Sequence, residues 1–130
     1  MNDLNIIATQ ATPSIITDAA AGTVEMRGDS YPENSFEFFT PILEWVKQHL
    51  AAADAKLHMN LYLLYLNTSS VKAMMDIFDM LEAAHGLGQD VSVSWYYDAE
   101  NERISELAEE FKEDCTFPFN IVRLDAASNT

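Results

Sequence analysis

Leu57-His58-Met59-Asn60-Leu61-Tyr62-Leu63-Leu64-Tyr65-Leu66, followed at once by Asn67-Thr68-Ser69-Ser70, is the stretch from which the fold can be read. Leu57, Met59, Leu61 and Leu63 alternate with His58, Asn60 and Tyr62, the period-two signature of a strand with one buried face. The pattern then turns solidly apolar through Leu64-Tyr65-Leu66, as in a central strand buried more deeply toward its C-terminal end. Four residues of helix-capping type follow. Val71, Met74, Met75, Phe78 and Leu81 then recur on one helical face until Gly86 and Gly88 stop the helix.

Working outward, Val91, Val93, Trp95 and Tyr97 alternate with Ser92, Ser94 and Tyr96 in a second strand, one face apolar and the other more polar. Asp98 is placed to cap the helix that follows, with Glu100 and Glu102 at its positive end and Ile104, Leu107, Ala108 and Phe111 on its buried side. Asn120 to Leu124 supplies a last strand. Upstream, Ser14 to Thr17 and Thr23 to Arg27 read as a hairpin across Asp18 to Gly22. Asn34-Ser35-Phe36-Glu37 has the spacing of a capping box, and Phe36, Phe39, Ile42, Leu43, Val46 and Leu50 continue from it as one apolar face. Pro41 interrupts that run, so either the helix kinks there or Thr40 caps a second start with Pro41 at its first position.

The order is β-β-α-β-α-β-α-β. It predicts an α/β fold with a single mixed, mostly parallel sheet of about five strands, because successive strands joined by helices cross over right-handedly. The serines and Tyr96 on the strand at Val91 place the helices mainly on one face. With 130 residues the expectation is one domain over residues 1–130, with loose ends at 1–12 and 126–130.

Seven basic residues against 21 acidic ones leave a formal charge of −14, which repels phosphate backbones and anionic headgroups. Nucleic acid and membrane insertion are therefore not expected. The longest wholly apolar run, Leu61 to Leu66, falls far short of the roughly 20 residues a spanning helix needs. Met1-Asn2-Asp3-Leu4 carries an acid where a secretory leader carries Lys or Arg, so a cytoplasmic location is expected. The lone Cys115 rules out an internal disulfide and a thiolate cage, and reads as a small, half-buried hydrophobe. No Walker loop, G-x-G-x-x-G, G-x-S-x-G or H-E-x-x-H occurs, so neither a cofactor nor a metal centre is expected. Asp76, Asp79 and Glu82 follow an i, i+3 spacing, but a solvated helix face explains them as well as a metal edge. The eight acids from Asp98 to Asp114, among which only Arg103 and Lys112 are basic, likewise read as a solvated face, or as a dock for a basic partner.

Thr68 stands where a central parallel strand ends and a helix begins. Ligand and switch sites of α/β folds collect there, and the unpaired N–H groups of the first helical turn favour an anion in the same space. A phosphate carried by Thr68 would meet those groups. Equally, Asn67, Thr68 and Ser69 can be read as nothing more than a cap. An enzyme at the same strand end, with Ser69 or Ser70 as nucleophile, would need a base, and His49, His58 and His85 are unpromising. An acidic inhibitor filling a basic cleft is a third reading.

Gly28 to Ser35 (GDSYPENS), Leu64 to Ile77 (LYLNTSSVKAMMDI) and Asn101 to Phe119 (NERISELAEEFKEDCTFPF) resemble, in the same order, the SiaC family of bacterial regulatory phosphoproteins. The resemblance implies a STAS-like fold, related to the anti-sigma-factor antagonists, in which a Ser or Thr at a helix N-terminus accepts phosphate. That position here is Thr68. It further implies a non-enzymatic partner switch: a Ser/Thr kinase of the anti-sigma-factor type phosphorylates the threonine and a PP2C-type phosphatase reverses this. The unmodified protein binds and activates a diguanylate cyclase, with cyclic-di-GMP production and biofilm formation as output. On this reading the partner-binding surface comprises Tyr31, Pro32, Glu33, Asn34, Tyr65, Asn67, Ser69 and Lys72 around Thr68.

Overall fold

The alternation at residues 57–66 becomes the middle of the sheet. The computed structural model describes residues 2–124. The elements run β1 (Asn5–Ile6), β2 (Ser14–Asp18), β3 (Thr23–Ser30), α1 (Ser35–Leu50), β4 (Leu57–Leu66), α2 (Thr68–Gly86), β5 (Val91–Asp98), α3 (Glu102–Glu113) and β6 (Phe119–Leu124). Their spatial order in one six-stranded sheet is their order in the chain. The pairs β1/β2 and β2/β3 are antiparallel, while β3/β4, β4/β5 and β5/β6 are parallel.

Each parallel step is bridged by a helix and moves in the same direction across the sheet, so right-handed crossovers bring all three helices to one face. On that face the registered row Met26, Leu61 and Trp95 is fully buried, as are Val24, Met59 and Val93 beside it. Ile42 and Val46 of α1, Met74, Ile77 and Leu81 of α2, and Ile104 and Ala108 of α3 close over them. Around Trp95 the core is aromatic: Phe111 stacks at 5.7 Å between centroids, and Phe78 meets Phe111 and Phe119 edge-on at 5.1 and 5.4 Å.

Several expectations change. The sheet has six strands instead of five, because the N-terminal residues, expected to be loose, contribute β1. Its anchor is Asp3, whose Oδ1 accepts from the Thr17 hydroxyl (3.1 Å), the Ala19 amide (2.9 Å) and the Trp45 indole (3.2 Å). These bonds satisfy Thr17, a buried hydroxyl on the core side of β2. The other expected loose end, 126–130, lies outside the described residues. Helix α1 runs unbroken through Pro41, which faces solvent, and the Thr40 hydroxyl donates to the Phe36 carbonyl one turn back (2.5 Å). Phe36 and Met75, read as core, are 82% and 48% exposed. Asp98 does not cap α3: its side chain accepts from the Glu100 amide (2.8 Å), and Asn101 is the cap.

Candidate functional site at the carboxyl rim of the sheet

Because β3, β4 and β5 are parallel, α1, α2 and α3 all begin at one rim, beyond the strands' C-terminal ends. Asparagine caps each of them. Asn34 accepts from the Glu37 amide, Asn67 from the Ser70 amide and Asn101 from the Ile104 amide. Their first turns differ in charge. Glu37 lies in that of α1 and Glu102 in that of α3, whereas α2 has no acid there. In a chain of net charge −14, the start of α2 is thus a positive helix end without a compensating carboxylate.

Thr68 is the first residue of α2 and is exposed. Its neighbours are held firmly. Ser70 is fully buried, and its hydroxyl donates to the Ser30 carbonyl (3.0 Å). With that proton committed, the Ser30 hydroxyl donates to Ser70 Oγ (2.8 Å). The Ser30 carbonyl also receives the Asn67 amide (3.0 Å), so the end of β3 is pinned to the start of α2. The Ser69 hydroxyl donates to Asn67 Oδ1 (3.1 Å) and is joined at 2.5 Å by the hydroxyl of Ser35, which ties the starts of α1 and α2 together.

The expected partner surface falls largely together. Tyr31 and Tyr65, 38% and 47% exposed, meet edge-on with centroids 6.0 Å apart beside Thr68's rim. Glu33, Asn34, Ser69 and Lys72 are at least partly exposed, and Asn67 is half-buried by its capping role. Pro32 is the exception: it is buried, and shapes the loop between β3 and α1 instead of offering a contact. Lys72 pairs loosely with Asp76 at 3.6 Å, both ends exposed.

Two apolar hollows flank Thr68. One, of about 370 Å³, lies between the end of β4 and α3; Leu64, Tyr65 and Leu107 line it, with Glu106, Glu110 and Arg103 at its polar margin. The other, of about 260 Å³, lies between α1 and α2, where Phe36, Phe39 and Leu43 are joined by Ser69 and Lys72. Val71 lines the first and Lys72 the second. Standing three and four residues before them, Thr68 shares their side of the helix, one turn nearer its start. Phe36, Leu64, Leu107 and Asn101 were missed as site residues in the sequence. Asn101 both caps α3 and donates to the Leu64 carbonyl (3.0 Å), closing one end of the larger hollow.

Neither Ser69 nor Ser70 has a histidine among its hydrogen-bond partners. His49 bonds the Lys56 carbonyl, His58 bonds Ser92 and Asn60 on the uncovered sheet face, and His85 lies in the last turn of α2. Two of the three acids of α2 have other partners: Asp76 faces Lys72, and Glu82 accepts from the Thr116 amide (2.8 Å) and hydroxyl (2.6 Å). These bonds hold the Glu82 carboxyl below its usual range. Burial, reinforced by the nearby Glu82, Asp114 and Asp79, pushes the Cys115 thiol up to about 11. None of the helices among the described residues is long and apolar enough to cross a membrane.

The sequence profile of the SiaC family of regulatory phosphoproteins matches residues 6–124. An uncharacterized protein of Pseudomonas aeruginosa strain UCBPP-PA14 is 58% identical over 121 residues, covering 93% of this chain and 96% of that protein. The structure of SiaC of Pseudomonas aeruginosa superposes with a TM-score of 0.90 at 55% identity, over 95% of this chain and all of that one. A chain in the crystal structure of the diguanylate cyclase SiaD in complex with its activator SiaC, also from Pseudomonas aeruginosa, superposes with a TM-score of 0.91 at 56% identity. That match covers 94% of this chain and 100% of the other. A profile match over nearly all the described residues, and relatives this similar along their whole length, make the chain a member of the SiaC family of regulatory phosphoproteins, with a regulatory role in place of an enzymatic one.

Proposed function

We propose that the unmodified protein binds and activates a diguanylate cyclase in the cytoplasm, and that phosphorylation of Thr68 blocks this binding. The observation that carries the reading is the start of α2: an exposed threonine at the first position of a helix whose first turn has no carboxylate, between two apolar hollows. A kinase of the anti-sigma-factor type can reach that hydroxyl, and a PP2C-type phosphatase can reach the phosphate. Ser70 is fully buried, and the Ser69 hydroxyl is engaged by Asn67 and Ser35, which favours Thr68 as the acceptor.

Magnitudes favour exclusion over refolding. Phosphate adds roughly −1.5 to −2 charges, and a helix N-terminus stabilises an exposed anion by only about 0.3 to 1 kcal/mol. The rim therefore keeps its shape. Burying the same dianion against apolar partner surface costs several kcal/mol, and about 1.4 kcal/mol is tenfold in affinity. The modified protein dissociates from the cyclase without a conformational change, cyclic-di-GMP synthesis falls, and biofilm formation falls with it.

The test combines mass spectrometry after kinase treatment with calorimetric binding to the cyclase. One phosphoryl group on Thr68 is expected, with Thr68→Ala binding as wild type does. Affinity should drop at least about a hundredfold for the phosphorylated form, with Thr68→Asp intermediate because its charge is smaller. Undiminished binding by protein stoichiometrically phosphorylated at Thr68 overturns the proposal.

A further inference from the structure

Among the described residues, the side of the sheet away from the helices carries no covering layer, and its charge differs from that of the rest of the molecule. Register aligns its side chains in rows across the strands. Arg27 lies beside Tyr62 and Tyr96 beside Val122, and the stacked Tyr62 and Tyr96 rings join these pairs into one row; the next holds Ile16 and Glu25. At the centre the Tyr62 and Tyr96 rings stack 4.6 Å apart and 8° from parallel, and the Arg27 guanidinium lies 3.8 Å over the Tyr62 ring. Ile16 and Val122 stand on either flank, 45% and 37% exposed. The charges in these two rows are Glu25 and Arg27, paired at 3.0 Å, so the middle of the face is neutral on a chain of net charge −14.

We propose that this face packs against the same face of a second copy of the chain, forming a two-fold homodimer. Charge decides the occupant. Two molecules of this acidity repel each other through their helical sides, where Asp76, Asp79, Glu82 and the acids of α3 lie. Back-to-back packing, with sheets roughly 10 Å apart, directs those helices outward. They are then separated by more than the Debye length of about 8 Å at physiological salt. One cation beside one anion is also self-complementary under a two-fold axis: Arg27 of each copy can reach Glu25 of the other. Six strands at about 4.8 Å and some six residues at about 3.3 Å give a footprint of roughly 500 Å² per copy. The two together reach the ~1,000 Å² at which specific interfaces begin. Arg27, Tyr62 and Tyr96 are of the residue types enriched at such contacts.

This inference is independent of Thr68, which lies at the rim. Sedimentation equilibrium of the full chain at physiological salt is the test, with Val122→Glu and Tyr96→Glu each read beside circular dichroism. Wild type should pass with rising concentration from 14.6 kDa to twice that mass. Either substitution buries a carboxylate at the contact and should raise the dissociation constant about a hundredfold. Arg27→Glu and Glu25→Arg should each weaken self-association alone and restore it when the two variants are mixed. A wild type that stays at 14.6 kDa, even if a variant loses cyclase binding, overturns the proposal. So does a dimer indifferent to all four substitutions.

Discussion

Helices α2 and α3 leave the same rim under the same kind of cap, Asn67 and Asn101, yet their first turns differ in charge and in attachment. At α3 Glu102 already neutralises the helix end, and Asn101 reaches across to the Leu64 carbonyl. At α2 there is no acid, and the anchoring is done by the buried pair Ser30 and Ser70, on the side away from Thr68. One helix start is finished. The other is rigid and electrostatically incomplete, which suits a site whose charge is added and removed while the backbone stays still.

The sharpest way to break the comparison is to move a carboxylate along α2. Ser70→Asp puts a charge at a fully buried position and should cost at least about 3 kcal/mol in urea denaturation, whereas Thr68→Asp should not destabilise at all. A smaller loss, about 1 to 3 kcal/mol, is expected for Ser70→Ala, which leaves the Ser30 carbonyl and hydroxyl short of a partner. Next come the caps. Asn67→Ala and Asn101→Ala should each lose about 1 kcal/mol, Asn101 somewhat more because its bond to Leu64 goes too.

Charge at the helix ends should have opposite signs at the two sites. Thr68→Asp is expected to gain about 0.3 to 1 kcal/mol, and Glu102→Gln to lose a comparable amount, both fading in high salt. The smallest effect lies away from the rim, at Glu82, whose carboxyl is held below its ordinary 4.5 by Thr116. A folded-state value below the unfolded one contributes stability above the unfolded pKa, and that contribution is lost as pH falls through the folded value. Thr116→Val should therefore reduce stability slightly at neutral pH and flatten its loss below about pH 4.5. Cys115 tests its surroundings separately: with a thiol at about 11, alkylation at pH 8 should be far slower than for a free thiol near 8.5.

The strand, cap and helix from Leu57 to Gly86 were legible because alternation, capping chemistry and helical recurrence all agree there, but the deeper burial expected at the strand's C-terminal end is absent: Leu64 and Tyr65 are 50% and 47% exposed, beyond the last residues paired with β5. Strand β1 was not: two residues carry no periodicity, and what holds them is Asp3 meeting Thr17, Ala19 and Trp45, contacts that exist only once the chain has folded. Phe36 and Met75 were misplaced because a helical stripe admits both i+3 and i+4 neighbours, and only the packing of α1 on α2 decides which one turns outward. Asp98 and Asn101 are both good caps by type. The choice between them was settled by the Leu64 carbonyl, which lies 37 residues away from Asn101 in the chain. Thr68 was marked by its position together with the family resemblance, but the missing acid in its first turn stands out only beside Glu37 and Glu102 at the two neighbouring helix starts.

The sheet's neighbours follow one another in the chain from β1 to β6, so no strand is ever inserted between two already paired. During synthesis a growing chain can extend the sheet one strand at a time, each newcomer docking on an edge laid down moments earlier. Assembly then needs no completed strand pair to open again, and the last edge to be closed is that of β5, when β6 arrives.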